Sequence, residues 1–311
     1  MTTAVRWSAR LVAVATLAVL VWHLGTGPFL DGLRAVDGGA LAAASGLAVL
    51  TTVCCAWRWR IVARGLGVDL PLGTAVAAYY RSLFLNVTLP GGVVGDVHRG
   101  ISHGRDTRDV GRGLRAVAWE RSAGQFVQVV LTVAVLLVVP SPVRAAMPLV
   151  ALALLAAAAG VALAARLRPG VGRSRWARLR SAAARDLRDG LLARRAWPVI
   201  ALASALVVAG HAITFLIAAR TAGATAPPSE MLPLALLVML AAALPNVGGW
   251  GPREGVTAWA FAAAGLGASL GVATAVVYGV IVFVASLPGA AVLVAAWVRR
   301  TRSAPWIERH A

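Results

Sequence analysis

Seventeen consecutive residues, Leu149–Ala165, carry no polar side chain at all. Comparable runs recur along the whole sequence, at Ala9–Leu24, Ala40–Trp57, Ala116–Val139, Ala145–Ala165, Trp197–Ala219 and Ala268–Val298. A bilayer's hydrocarbon core is about 30 Å thick, so a helix rising about 1.5 Å per residue crosses it in about 20 residues. Apolar residues make up 59% of the 311 and charged ones only 14%, against about 25% charged in ordinary soluble domains. A water-soluble globule could not hide that much hydrocarbon. The expected fold is an all-α polytopic membrane protein, a single domain over 1–311, with about six long transmembrane helices. The first run reads as an uncleaved anchor, since no small-x-small cleavage site follows it.

All 30 basic residues are arginine and no lysine occurs. This excludes a P-loop lysine for nucleotide phosphates and a lysine Schiff base, so work driven by the protein's own ATPase is not expected. In a soluble protein, the net charge of +18 would suggest nucleic acid. Here it follows from topology, and no nucleic-acid partner is expected. Twenty-three arginines lie in the N-terminal, 58–64, 105–115, 166–195 and C-terminal segments, whereas only Arg34, Arg144 and Arg220 fall on the opposite side. That bias places both termini in the cytoplasm, in the plasma membrane. The basic 166–196 stretch has apolar residues at Leu179, Ala183, Leu187 and Leu191 after Trp176. It reads as a cytoplasmic amphipathic helix on the inner leaflet or a solvated loop that enforces topology. Cys54 and Cys55, adjacent in an apolar run, read as small core residues.

Two further apolar stretches break off. Leu72–Leu89 contains Arg81 and Asn86 and ends in Pro90-Gly91-Gly92; Met231–Leu244 ends in Pro245-Asn246-Val247-Gly248-Gly249. Each is followed by glycines and then charges, the pattern of a segment that enters the bilayer and turns back. The turns match: Leu89-Pro90 is followed by nine residues and then Gly100, and Leu244-Pro245 by nine residues and then Gly255. With the two segments entering from opposite sides, the pair reads as an inverted repeat, an arrangement in which broken helices meet around a midplane site. The turn glycines are Gly91, Gly92, Gly95, Gly248, Gly249 and Gly251.

An ionised group at the bilayer centre costs about 2.5–3.5 kcal/mol, so charges near membrane depth need partners or a function. They are Arg81, Asp96, Arg99, Glu120, Arg121, Arg253 and Glu254. Asp96 and Arg99 are spaced to pair on one helical turn. Arg253 and Glu254 are consecutive and are expected to pair with other elements, across the two repeats. Arg121, Gln125, Gln128 and Thr132 recur at steps of four, three and four, a polar stripe that must face a cavity or a neighbour. Ser204, His211 and Thr214 draw a weaker line. Guanidinium groups match phosphate, and helix N-termini behind glycine turns favour anions. A phosphate-bearing substrate inside a bilayer is most simply a lipid.

Leu89-Pro90-Gly91-Gly92-Val93-Val94-Gly95-Asp96-Val97-His98-Arg99, Glu120-Arg121 and Gly248-Gly249-Trp250-Gly251-Pro252-Arg253-Glu254-Gly255 together resemble the lysylphosphatidylglycerol synthase transmembrane (flippase-like) family over nearly the whole chain. The resemblance implies a membrane half that moves lipid between leaflets, with Asp96, Arg99, Glu120, Arg121, Arg253 and Glu254 at the translocation site. Two-part members append a soluble aminoacyltransferase domain; this sequence is expected to be a stand-alone member, so the synthase activity does not carry over. The expected function is a lipid translocase or scramblase acting on a phospholipid or another phosphate-bearing lipid, not an enzyme and without a cofactor. Substrate binding is assigned to Arg99, Arg121, Arg253, Asp96, Glu120, Glu254, Arg81, Gln125 and Gln128. Membrane phospholipids are the expected partners, with a separate lipid-modifying enzyme as a candidate second one. The alternatives are a membrane-embedded lipid or glycan transferase, for which Asp96, His98 and His103 form the candidate metal set, and a non-transporting partner subunit.

Overall fold

The computed structural model describes residues 15–166, 181–244, 246 and 250–302. Its helices are α1 (Ala15–Leu24), α2 (Gly27–Ala35), α3 (Gly38–Gly65), α4 (Leu72–Thr88), α5 (Val94–Asp106), α6 (Val110–Val138), α7 (Met147–Arg166), the π-helical turn α8 (Asp186–Leu191), α9 (Trp197–Thr221), α10 (Pro228–Ala242), α11 (Pro252–Ala263) and α12 (Ala268–Arg302). Local chemistry sets several of these ends. The Asp37 carboxylate accepts from the Ala40 N–H and the Asp109 carboxylate from the Arg112 N–H, each satisfying a donor that a helix start leaves unpaired. Pro198 and Pro228 sit in the first turns of α9 and α10, where a missing N–H costs nothing.

Among the described residues, four helices, α3, α6, α9 and α12, are long and apolar enough to cross a membrane. Of the other two expected spans, the first is described only over α1. The fourth is α7, whose Leu149, Leu152, Leu155 and Leu163 face outward, as a lipid-facing helix requires. The last apolar run forms one helix that continues through Pro288.

The element order repeats: a long helix, two short helices joined by a break, and a long helix (α3, α4/α5, α6), then the same again (α9, α10/α11, α12). The packing follows suit. α3 lies on α9; α4 packs on α12 and α10 on α6; each short pair packs on itself and then on the long helix that follows it. Tight glycines permit this closeness. A Cβ on Gly95 would sit 2.0 Å from the Ser82 carbonyl oxygen, and one on Gly289 would sit 2.1 Å from that of Tyr80. Gly95 is therefore not a turn residue, as the sequence suggested; it lies in the first turn of α5 and lets α4 and α5 touch. Each half has its own core, one around Trp59, Tyr79, Ala116 and Val117, the other around Phe215, Met231, Phe261 and Ile281.

The two breaks meet. Gly91 and Gly92 take φ of 111° and 65°, a region that residues with a Cβ rarely enter. The Gly91 N–H donates to the Asn246 carbonyl at 2.8 Å, and the Asn246 amide lies directly over Gly92. The turn glycines Gly248 and Gly249 lie outside the described residues.

Of the basic 166–196 stretch, residues 167–180, with Trp176 and Leu179, lie outside the described residues. Its apolar side packs against protein: Leu191 is buried, and Leu187 joins Val62, Ala123 and Ile200 around it. Asp186 accepts from Arg115 Nε at 2.8 Å and from Trp119 Nε1 at 3.2 Å. These bonds tie the loop to α6.

Candidate functional site

Five ionic groups from three helices form one network in the first half of the molecule. α5 presents Asp96 and Arg99 one turn apart, and Arg99 Nη2 donates to Asp96 Oδ1 at 3.0 Å and to Glu120 Oε2 at 3.0 Å. The Arg99 guanidinium lies between the Trp59 and Tyr79 rings, 4.4 and 4.1 Å from their centroids, an arrangement favourable for a desolvated cation. Glu120 on α6 has no exposed surface and also accepts from Arg58 Nε at 2.9 Å, Arg58 Nη2 at 2.5 Å and Tyr79 OH at 3.2 Å. Arg58 Nη1 donates to Ser204 Oγ at 3.0 Å, which ties α3, α6 and α9 together. Arg121, the next residue along α6, points to another side and pairs with Asp96. Asp96 also accepts from Ser82 Oγ at 3.1 Å and Asn86 Nδ2 at 2.9 Å.

Arg58 corrects the sequence reading, which grouped it with the cytoplasmic arginines of 58–64. It is only 5% exposed. Thr51, Cys55, Arg58 and Val62 share one buried face of α3, a register that Arg60 and Arg64 do not share. Three guanidiniums against two carboxylates leave the network with one net positive charge.

This network borders a cavity of about 160 Å³, lined by Arg58, Ser82, Asn86, Asp96, Arg121, Gln125, Gln128, Ser204 and His211 among others. The expected polar stripe on α6 thus faces it through Arg121, Gln125 and Gln128, while Thr132 is buried away from it. Arg121 is the open member of the network, its side chain 43% exposed, and Gln128 Nε2 has no hydrogen-bond partner among the described residues. The half-helix start does not offer its backbone freely: the Gly95 N–H donates to Asn86 Oδ1 at 2.8 Å.

Arg253 and Glu254 form a separate group on α11. Contrary to the expectation of partners on other elements, they pair with each other, Arg253 Nε to Glu254 Oε1 at 2.9 Å. The reason is local. Glu254 folds back over the start of α11 to accept from the Gly251 N–H at 2.6 Å, half of a capping box. That fixes its carboxylate within reach of Arg253. Gly251, at φ 133°, supplies the bend. No ion pair joins the two halves among the described residues. Beside Arg253 lies a second cavity, about 190 Å³, lined by Val87, Trp250, Gly279 and Phe283 among others. Between the two cavities is a third of about 70 Å³, which shares Tyr79 and His211 with the first and Val87 with the second. His211, on its wall, shares a hydrogen bond through Nδ1 with Tyr278 OH at 3.2 Å.

Arg81 lies outside the lining of all three cavities. Tyr79, Ser82 and Asn86 turn one face of α4 to the network, and Arg81, about 100° around the helix from Ser82, looks elsewhere. The candidate metal set does not assemble: His103 packs edge-on against Trp59, Asp96 is held by four donors, and no group of three or more His, Cys, Asp or Glu converges among the described residues.

A helical membrane protein with an ionic network buried among α3, α4, α5 and α6 is thereby defined. The chain belongs to the family described as the lysylphosphatidylglycerol synthase TM region, whose model matches residues 7–289. No curated protein matches it. Membership supports a role connected with membrane lipid.

Proposed function

We propose that this protein is a lipid translocase or scramblase that carries a phosphate-bearing lipid between the leaflets of the plasma membrane, without ATP of its own and without catalysing a reaction. The observation that carries this reading is Arg121: a guanidinium open to a polar cavity, in a buried network whose net charge is positive. Such a site lacks one anion, and a phosphodiester supplies it with a geometry that guanidinium matches.

In this reading the membrane is crossed six times and both termini are cytoplasmic, in keeping with the arginine bias. The pairs α4/α5 and α10/α11 dip in from opposite faces as an inverted repeat. Helices of 17 and 15 residues reach about 25 and 22 Å, enough for tips entering from opposite sides of a core about 30 Å thick to meet inside it. The three adjoining cavities offer the headgroup a route from Arg121 past His211 to Arg253.

The test is reconstitution in liposomes with labelled phospholipids and measurement of leaflet exchange. Wild-type protein should accelerate exchange above empty vesicles, and Arg121→Ala should lower the rate by about tenfold or more, the loss of one charge-assisted contact. Exchange equal to empty vesicles across an anionic and zwitterionic panel would overturn the proposal.

A further inference from the structure

We infer that His211 is a proton-binding site and that its proton travels with the phosphate-bearing lipid, so that a pH difference drives the exchange. The inference rests on the reading of the protein as a lipid carrier and adds the ion to which the carrier is coupled.

His211 stands 14 residues into α9 and ten from its end, about 21 and 15 Å along a helix long enough to cross the membrane. An ionisable group at that depth is costly and calls for a role. It lies on the walls of two of the three cavities, the one beside Arg121 and the one of about 70 Å³ that leads on toward Arg253. The first is polar and, at about 160 Å³, roomy enough for the water that brings a proton to the ring. Its one hydrogen bond among the described residues joins Nδ1 to Tyr278 OH on α12.

No other group on the route changes charge readily near neutral pH. α3 turns Cys55 and Arg58 toward the cavities, α4 Tyr79, α5 Asp96, α6 Arg121 and α12 Tyr278. α10, also packed on α9, carries one ionisable side chain, Glu230, exposed at its far end. Guanidiniums do not deprotonate in proteins, and thiols and phenols ionise above neutral pH. Asp96 accepts from Ser82, Arg99, Asn86 and Arg121, so a proton there would have to displace a donor. Glu120, behind Arg58, is held in the same way by two bonds from Arg58, one from Tyr79 and one from Arg99. Imidazole is left, and its ordinary range spans physiological pH.

Charge decides when the site loads. The empty network carries one net positive charge, and a second on His211 would have no anion to balance it. A phosphodiester bound at Arg121 brings the network to zero, and a proton then restores only the resting value. Anion and proton therefore favour each other's binding, and the linkage is reciprocal. The pair is neutral and crosses without moving charge. Protonation also fixes the direction of a bond. Both imidazolium nitrogens can only donate, so Nδ1 donates to Tyr278 and the phenol hydrogen must turn away. The Tyr278 ring lies 5.3 Å from the Arg253 guanidinium, so loading beside Arg121 is felt next to Arg253.

The test uses liposomes with labelled phosphatidylglycerol, whose phosphodiester does not titrate near neutral pH, and with the membrane potential clamped at zero. Under a difference of one pH unit, wild type should enrich the lipid in the leaflet away from the acid side. The limit is about tenfold, the equivalent of one pH unit for one proton per lipid. His211→Gln, which keeps a neutral hydrogen-bonding side chain, should leave the leaflets equal, and His211→Asn serves if glutamine does not fold. Wild-type exchange without enrichment, or enrichment that survives in His211→Gln, would overturn the inference. A second measurement needs no transport. Purified protein in weakly buffered detergent at about pH 6.5, the ordinary histidine midpoint, is mixed with dihexyl phosphate, a bare phosphodiester, and a pH indicator follows proton uptake. Wild type and Tyr278→Phe, which keeps the imidazole, should take up protons on binding, and His211→Gln none. If wild type exchanges no lipid, the carrier reading fails on its own, and uptake still decides the proton site: uptake lost in His211→Gln supports it, and no uptake by wild type contradicts it. Uptake lost equally in Tyr278→Phe would mark the pair as merely structural and overturn the inference.

Discussion

Glu120→Gln changes one oxygen to nitrogen and removes the charge that holds Arg58 and Arg99 in the protein interior. In the native network, Glu120 accepts four hydrogen bonds, three of them from guanidinium groups. Glutamine retains one carbonyl acceptor, and its NH₂ faces donors that it cannot accept from. Net charge rises from one to two in a region with almost no water contact. Breaking a buried ion pair by removing one partner costs about 3–5 kcal/mol, mostly the penalty of the charge left behind. At about 1.4 kcal/mol per factor of ten, the folded fraction relative to the unfolded should fall by roughly 100- to 4,000-fold. The assay is unfolding of detergent-solubilised protein by SDS titration, followed through tryptophan emission, to which Trp59 beside Arg99 contributes. A second substitution sharpens the test. Arg58→Leu added to Glu120→Gln restores the net charge and removes one of the stranded guanidiniums, so it should recover at least half of the loss. An unfolding midpoint unchanged in Glu120→Gln, or a double variant weaker than the single by the full cost of Arg58, would refute the reasoning.

Other outcomes follow from close approaches. Gly95→Ala would set a methyl 2.0 Å from a backbone oxygen of α4 that cannot step aside; a loss of about 1–3 kcal/mol is expected from such overpacking, read as a lower thermal midpoint. In a Cys54→Ala/Cys55→Ala background, Gly92→Cys with Asn246→Cys should form an intramolecular disulfide on mild oxidation. A Cβ at position 92 would lie 3.4 Å from Asn246 Cγ, the atom whose place a cysteine sulfur would take, and loss of both thiols to a maleimide gel shift would report the bridge. Persistently free thiols would mean that the two breaks do not touch.

Much of the first half's site was legible because its chemistry is local. Asp96 and Arg99 stand one turn apart, and Arg121, Gln125 and Gln128 recur at helical spacing, so periodicity alone puts them on shared faces. The breaks after Thr88 and Ala242 were legible from Pro and Gly clusters that no helix continues through. Arg58 was not, because its neighbours Arg60 and Arg64 make it look like part of an interfacial cluster. The available signal was its register with Thr51, Cys55 and Val62, which needs the packing of α3 to be interpreted. The pairing of Glu120 with Arg58 and Arg99, and not with adjacent Arg121, depends on helices 21 to 62 residues away in sequence. Glu254 was misread for a different reason: a Gly at 251 and a Glu three residues later is a helix-start signature, and the charge drew attention from the cap.

The most direct test of the account is the depth of the two breaks. Spin labels at Leu89 and Leu244, both exposed beside the breaks, can be placed relative to the bilayer by their collision rates with oxygen and with a water-soluble nickel chelate. The account predicts both labels deep in the hydrocarbon, within a few ångströms of each other in depth, on arms that enter from opposite faces. A label found at headgroup level on either arm would remove the buried setting on which the arginine network and its phosphate ligand depend.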